Sequence, residues 1–99
     1  MNWRQIIDKY YSDNAELKDI LLRHSSAVAR KALDIAKRHP ELNLDLNFIE
    51  EAAMLHDIGV IKTDAPDIKC YGHEPYIRHG VLGAEMLRAE GMPRHARIC

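Results

Sequence analysis

The residues best suited to chemistry are His56 and Asp57, in the run Ala52-Ala53-Met54-Leu55-His56-Asp57-Ile58-Gly59. Neighbouring side chains on an α-helix point about 100° apart and rarely serve one ligand. At a fraying last turn, just before a glycine, an imidazole and a carboxylate can converge on one cation. Asp offers a hard oxygen and His a borderline nitrogen, a pair suited to Mn, Fe, Zn or Mg with water in the remaining positions. His24 lies upstream on a helical apolar stripe, and His79 follows downstream. A histidine on an apolar face is ordinarily a hydrogen-bonded core residue. A carboxylate buried beside an imidazole, however, costs several kcal/mol unless something neutralises it. A cation shared by His24, His56 and Asp57 would do so. Of the other histidines, His39 before Pro40 and His95 in Pro93-Arg94-His95-Ala96 read as exposed, and His73 as a loop residue that is either solvated or in reach of a substrate.

Helices must position these groups. A short first segment, about Trp3 to Tyr11, carries Ile6, Ile7 and Tyr10 on one side. Asp13, with Glu16 three residues on, reads as a capping box for a second helix from Asn14 to about Arg38. Leu17, Ile20, Leu21, Val28, Ala32, Ile35 and Ala36 keep the 3.6-residue period there, and His24 falls within the stripe, pointed at the core. Asn47 with Glu50 marks a third helix, Phe48 to about Asp57, burying Phe48, Ile49, Ala52, Ala53 and Leu55. Gly59 would permit a left-handed residue and a change of direction.

No period holds from Val60 to Ile77, where Pro66, Gly72 and Pro75 intervene. A loop of that length is uncommon in a compact domain and often serves as a lid or binding loop. A fourth helix, Arg78 to Glu90, should turn Val81, Leu82 and Met86 inward, with Gly83 allowing close helix approach and Gly91 as its cap. Pro93 opens a fifth helix too short to hold itself together. The helices then lack a partner on one side, and Leu82, Met86 and Ile98 are expected to form an exposed apolar patch. Either the chain associates, as a homo-oligomer, or it is a piece of a longer protein.

Composition bounds the partners. Ninety-nine residues fit one small domain, and 46% hydrophobic with 29% charged residues is ordinary for a globular protein. A net charge of -1, from 14 basic and 15 acidic residues, indicates neither nucleic-acid binding nor attraction to an anionic membrane. No apolar run approaches the ~18 residues of a membrane span, and Met1-Asn2-Trp3-Arg4 lacks the apolar core of a signal peptide. Cys70 and Cys99 make no disulfide framework and fit free thiols in a reducing cytoplasm. The expectation is a cytoplasmic, all-α protein with no membrane partner.

Three segments together carry a resemblance: Leu21-Leu22-Arg23-His24-Ser25-Ser26-Ala27-Val28, Leu55-His56-Asp57-Ile58-Gly59, and Ile77-Arg78-His79-Gly80-Val81-Leu82-Gly83-Ala84-Glu85-Met86-Leu87. In that order they resemble the HD superfamily of metal-dependent phosphohydrolases, and His56-Asp57-Ile58-Gly59 resembles its HDIG subgroup. The likeness covers roughly Leu21 to Ile98. It implies an HD-domain-like bundle of about five helices and a divalent metal held by His24, His56 and Asp57. In the two-metal branch, Asp57 bridges and His79 binds the second ion. It also implies hydrolysis of a nucleotide or small phosphomonoester through a metal-activated water.

The sequence departs from the family pattern twice. Relatives complete the metal set with an Asp on a later helix, and neither Asp64 nor Asp67, in the loop directly after the pair, substitutes for it. Residues 1–99 therefore read as one incomplete HD domain, the N-terminal part of a longer one. Val60 also stands where many relatives place a basic residue, leaving Lys62 or Arg78 to approach a substrate phosphate. The rival reading is a non-catalytic HD-like helical module that binds a nucleotide or a protein partner without turnover.

Overall fold

Side-chain caps set where the helices begin in the computed structural model, which describes residues 2–99. Asn2 opens α1 (Trp3–Tyr11) with a capping box: its side chain accepts from the Gln5 amide, and the Gln5 side chain accepts from the Asn2 amide. Asn14, not Asp13, caps α2 (Ala15–Lys37), accepting from the Leu17 amide at 3.1 Å. Asp45, not Asn47, caps α3 (Leu46–Leu55), accepting from the Phe48 amide at 3.1 Å. Both corrections have one cause: several capping residues lie close together, and the turn before each helix decides which one faces the free amides. A left-handed Asn43 makes that turn before α3.

The remaining helices are α4 (His79–Ala89) and α5 (Pro93–Ala96), so the all-α expectation of five helices holds. α4 ends in a Schellman motif: Gly91 is left-handed, its amide bonds Arg88 O, and the Met92 amide bonds Leu87 O at 2.8 Å. Among the described residues, no helix is long and apolar enough to cross a membrane.

Where α2 faces differs from the expectation. Its buried stripe is Leu17, Leu21, Ser25, Ala29 and Ala36, while Ile20 and Ile35 are exposed. Small Ser25 and Ala29 are buried, positions that a hydrophobicity pattern underweights. The face is thereby turned about one residue from the expected one, and His24 stands at its rim rather than in the core. The core joins Ile6, Ile7 and Tyr11 of α1 to Leu17 and Leu21 of α2, to Leu55 and Ile58, and to Met86 and Leu87 of α4.

The expected apolar patch also moves. Leu82 and Met86 are buried and Val81 is exposed, so only Ile98 of the proposed trio stays outside. The open apolar surface is instead a groove of about 300 Å³ along α2 and α3, lined by Val28, Ala32, Phe48, Ile49, Ala52 and Ile98 and reaching His56.

The segment read as an irregular loop is ordered. A 3₁₀ turn, Ile58–Lys62, leads into β1 (Thr63–Ala65), β2 (Cys70–Tyr71) and β3 (Glu74–Pro75). β1 is central, antiparallel to β2 with Asp64 opposite Tyr71, and parallel to β3 with Thr63 opposite Glu74. Strands this short carry no readable period. Asn14 ties the unit to α2 by donating from Nδ2 to Lys69 O at 2.8 Å.

Gly59 is not left-handed, contrary to expectation; its role is close approach. A Cβ there would lie 2.1 Å from His79 O and 2.4 Å from Gly83 N. The 3₁₀ turn and α4 are thus packed backbone to backbone.

Candidate metal centre

The end of α3 explains how two adjacent side chains come to face one point. His56 keeps helical angles, but Asp57 departs to φ -106°, ψ 17°, in the sparsely populated bridge region. His56 Nε2 then lies 3.1 Å from Asp57 Oδ2, and His24 Nε2 reaches the same oxygen from α2 at 3.0 Å. From the start of α4, His79 Nε2 lies 3.4 Å from Asp57 Oδ1. One ligand atom each from His24, His56 and Asp57 sits within 4.8 Å of the others. His24 is 55% exposed and Asp57 19%, so the cluster opens to solvent on the α2 side.

The far sides of two rings fix their chemistry. His56 Nδ1 faces Ala53 O, and His79 Nδ1 faces Tyr76 O at 2.9 Å. A carbonyl only accepts, so each Nδ1 carries the proton. In the neutral ring, Nε2 would then aim a lone pair at the Asp57 carboxylate. That arrangement is repulsive unless the ring is protonated or a cation lies between the groups. For His56 the balance moves toward the protonated ring. Its hydrogen bond to Asp57 raises the imidazole pKa against the opposing effect of burial. The same bond holds the Asp57 carboxyl below its usual range, aided by the fields of His79 and His24. Imidazole nitrogens around one carboxylate oxygen pair are also a donor set that suits Mn, Fe or Zn, with Mg the harder alternative. A divalent cation fits these residues.

Residues behind the cluster hold its backbone. Tyr11, fully buried, donates its hydroxyl to Ile58 O at 2.8 Å, and burial pushes its phenol pKa up so that it remains a donor. Thr63 Oγ1, also buried, donates to Val60 O at 2.8 Å. The Tyr76 ring lies 4.8 Å from that of His79, tilted by 30°. Cys99 packs its thiol against Leu55 O at 3.7 Å; burial, then the Asp57 charge, push its pKa up to about 11.

The structure places His24, His56 and Asp57 in one cluster, with His79 beside Asp57. It does not bring in the two basic candidates. Arg78 is engaged by Glu74 at 3.1 Å, and Lys62 is exposed, with no side-chain hydrogen bond or ion pair among the described residues. His39 is exposed beside Glu41, and His73 is exposed. His95 corrects the expectation of an exposed residue: its side chain is 15% exposed and packs against the Phe48 ring, 4.6 Å between centroids and tilted by 60°, because α5 folds back on α3. Tyr11 and Tyr76 were not anticipated. Tyr76 had a signal, three residues before His79; Tyr11 had none, being far from Ile58 in sequence.

Residues 21–98 match the family profile described as the HD domain. The chain is also similar to the tRNA (cytidine(56)-2'-O)-methyltransferase of Thermoplasma volcanium, with 35% identity over 74 residues. Those residues are 75% of this chain but 18% of that protein, so the chain spans a minor part of its relative's length. No solved structure matches it.

Proposed function

The chain belongs to the HD-domain family, and from that premise we propose that it is a metal-dependent phosphohydrolase of the HDIG subgroup. Its substrate class is a nucleotide or small phosphomonoester. The observation that carries this reading is the convergence of three imidazole Nε2 atoms on the Asp57 carboxylate, two of them with Nδ1 committed to backbone carbonyls. A divalent ion, Mn, Fe, Mg or Zn, held by His24, His56 and Asp57, with a second near His79, supplies Lewis acidity toward water and phosphoryl oxygen. Asp57 provides the negative charge that collects cations at this point. His56 and His79 keep their Nε2 faces fixed through Ala53 and Tyr76. Arg78 clamps a phosphate only by leaving Glu74, whereas Lys62 is unpaired among the described residues and reaches out at lower cost. The free thiols of Cys70 and Cys99 support a cytoplasmic setting.

Metal analysis combined with a phosphatase screen on phosphomonoesters and nucleotides tests the reading. Asp57→Ala should lose both bound metal and turnover, at least a hundredfold in rate, while His39→Ala retains both. Equal turnover by wild type and Asp57→Ala would sink it.

A second reading is favoured by one comparison: a similar segment forms 18% of a protein named as a tRNA methyltransferase. On that reading this chain is a non-catalytic module binding a nucleotide or a protein partner. Tight ligand binding without turnover, unaffected by chelator, distinguishes it. The apolar groove along α2 and α3 supports a companion proposal, that residues 1–99 are completed by further chain or by a second copy. Sedimentation of a well-behaved monomer speaks against the second copy.

A further inference from the structure

A small cleft shares His24 and Asp57 with the cluster but is otherwise nearly apolar. Its walls come from Leu17 and Ile20 of α2, from Val60, and from Ile68 and Tyr76 of the segment around the short sheet. Apart from the Tyr76 hydroxyl, His24 and Asp57 are its polar side chains. Ile20 is 37% exposed and Tyr76 44% exposed, so these two stand at the mouth. Packing of Tyr76 on His79, with His79 Nδ1 bonded to Tyr76 O, ties this rim to the cluster.

From this juxtaposition we infer that the cleft receives the alcohol portion of the phosphate ester, and that it selects a compact, apolar, single-ring group. The inference rests on the phosphohydrolase reading, which puts the phosphate at His24 and Asp57, and it narrows the substrate class of that reading to the small phosphomonoesters. Size sets the upper limit. The cleft measures about 140 Å³, and an engineered apolar cavity of roughly 150 Å³ holds one benzene ring. A fused two-ring system exceeds that space unless part of it projects past Ile20 and Tyr76. Lining chemistry excludes the opposite class. A polyhydroxylated alcohol would bury hydroxyls against Leu17, Val60 and Ile68, which offer them no partner, and it would lose their hydration. An aromatic ring instead removes apolar surface of both partners from water.

The experiment is an amide shift titration of the whole chain, with and without Zn²⁺, using inorganic phosphate, phenyl phosphate, glycerol 2-phosphate and benzyl alcohol. Phenyl phosphate is expected to bind roughly tenfold more tightly than glycerol 2-phosphate, and to shift Ile20, Ile68 and Tyr76. Ile20→Ser, at an exposed position, should erase most of that preference. Equal affinity for the two esters, or shifts that avoid these three residues, overturns the proposal. If no phosphate compound binds, the phosphohydrolase reading fails first, and benzyl alcohol decides the cleft. Shifts at Ile20, Ile68 and Tyr76 uphold an apolar ring site, and their absence overturns it.

Discussion

The two sides of Asp57 are built differently. Behind it, the 3₁₀ turn is sealed between α1 and α4, where Tyr11, Leu55, Ile58 and Leu87 are fully buried and Gly59 meets α4 backbone to backbone. In front, α2 and α3 frame an open apolar groove, with Ile98 about half exposed and Phe48 and Ile49 half-buried, and the adjoining open face of α2 carries the half-exposed Ile35. The contrast teaches where precision is needed. Groups that are to share a cation would need their geometry held within a fraction of an ångström, and the backbone that carries Asp57 is held in that way from behind. The approach to the ligands is left wide.

Substitutions on the two sides should therefore differ in cost. Gly59→Ala forces a Cβ to within 2.1 Å of His79 O and should destabilise by about 3 kcal/mol or more. Ile35→Ser in front should change stability by about 0.5 kcal/mol or less. Chemical denaturation measures both, and similar midpoints for the two variants would erase the distinction. Tyr11→Phe keeps the ring but leaves Ile58 O unpaired, at a cost of about 1–3 kcal/mol. It should also weaken metal binding, which calorimetric titration reads, and unchanged affinity would show that the rear contact does not reach the ligands.

The smallest effect lies at the outer edge of the sealed side. Glu90, at the end of α4, accepts from Lys9 and from the Tyr10 hydroxyl, which clamps α1 down. The Lys9 bond, then the Tyr10 bond, hold the Glu90 carboxyl below its usual range. A carboxyl whose folded pKa is lowered contributes its full stability above the ordinary glutamate range, and loses it as pH falls through the lowered value. Glu90→Gln should flatten that acid limb of a melting-temperature profile slightly, with little change near neutrality. An unaltered acid limb would mean the clamp is silent in solution.

Most local patterns were legible, although not which of two nearby residues caps α2 or α3, and most tertiary ones were not. The bounds of α1, the Pro93 start of α5, the Gly91 cap and the close approach at Gly83 all follow from residues near one another in sequence. So does the convergence at His56 and Asp57, since the helix had to end there. His24 was found but misplaced, because Ser25 and Ala29 form the buried stripe without looking apolar enough. The short sheet escaped notice because its strands, of two or three residues, are set by neighbours rather than by periodicity. Tyr11 is a bulky residue at a helix end until Ile58 is placed beside it.

That Tyr11–Ile58 contact spans 47 residues, and α1 lies ahead of residues 21–98, which match the family. Closing a loop so long costs chain entropy before any contact rewards it. α2 and α3, neighbours in sequence, can meet early and bring His24 toward His56. A chain whose N-terminal helix detached would keep α2 and α3 packed on each other while losing the bond that holds Ile58, the residue next to Asp57.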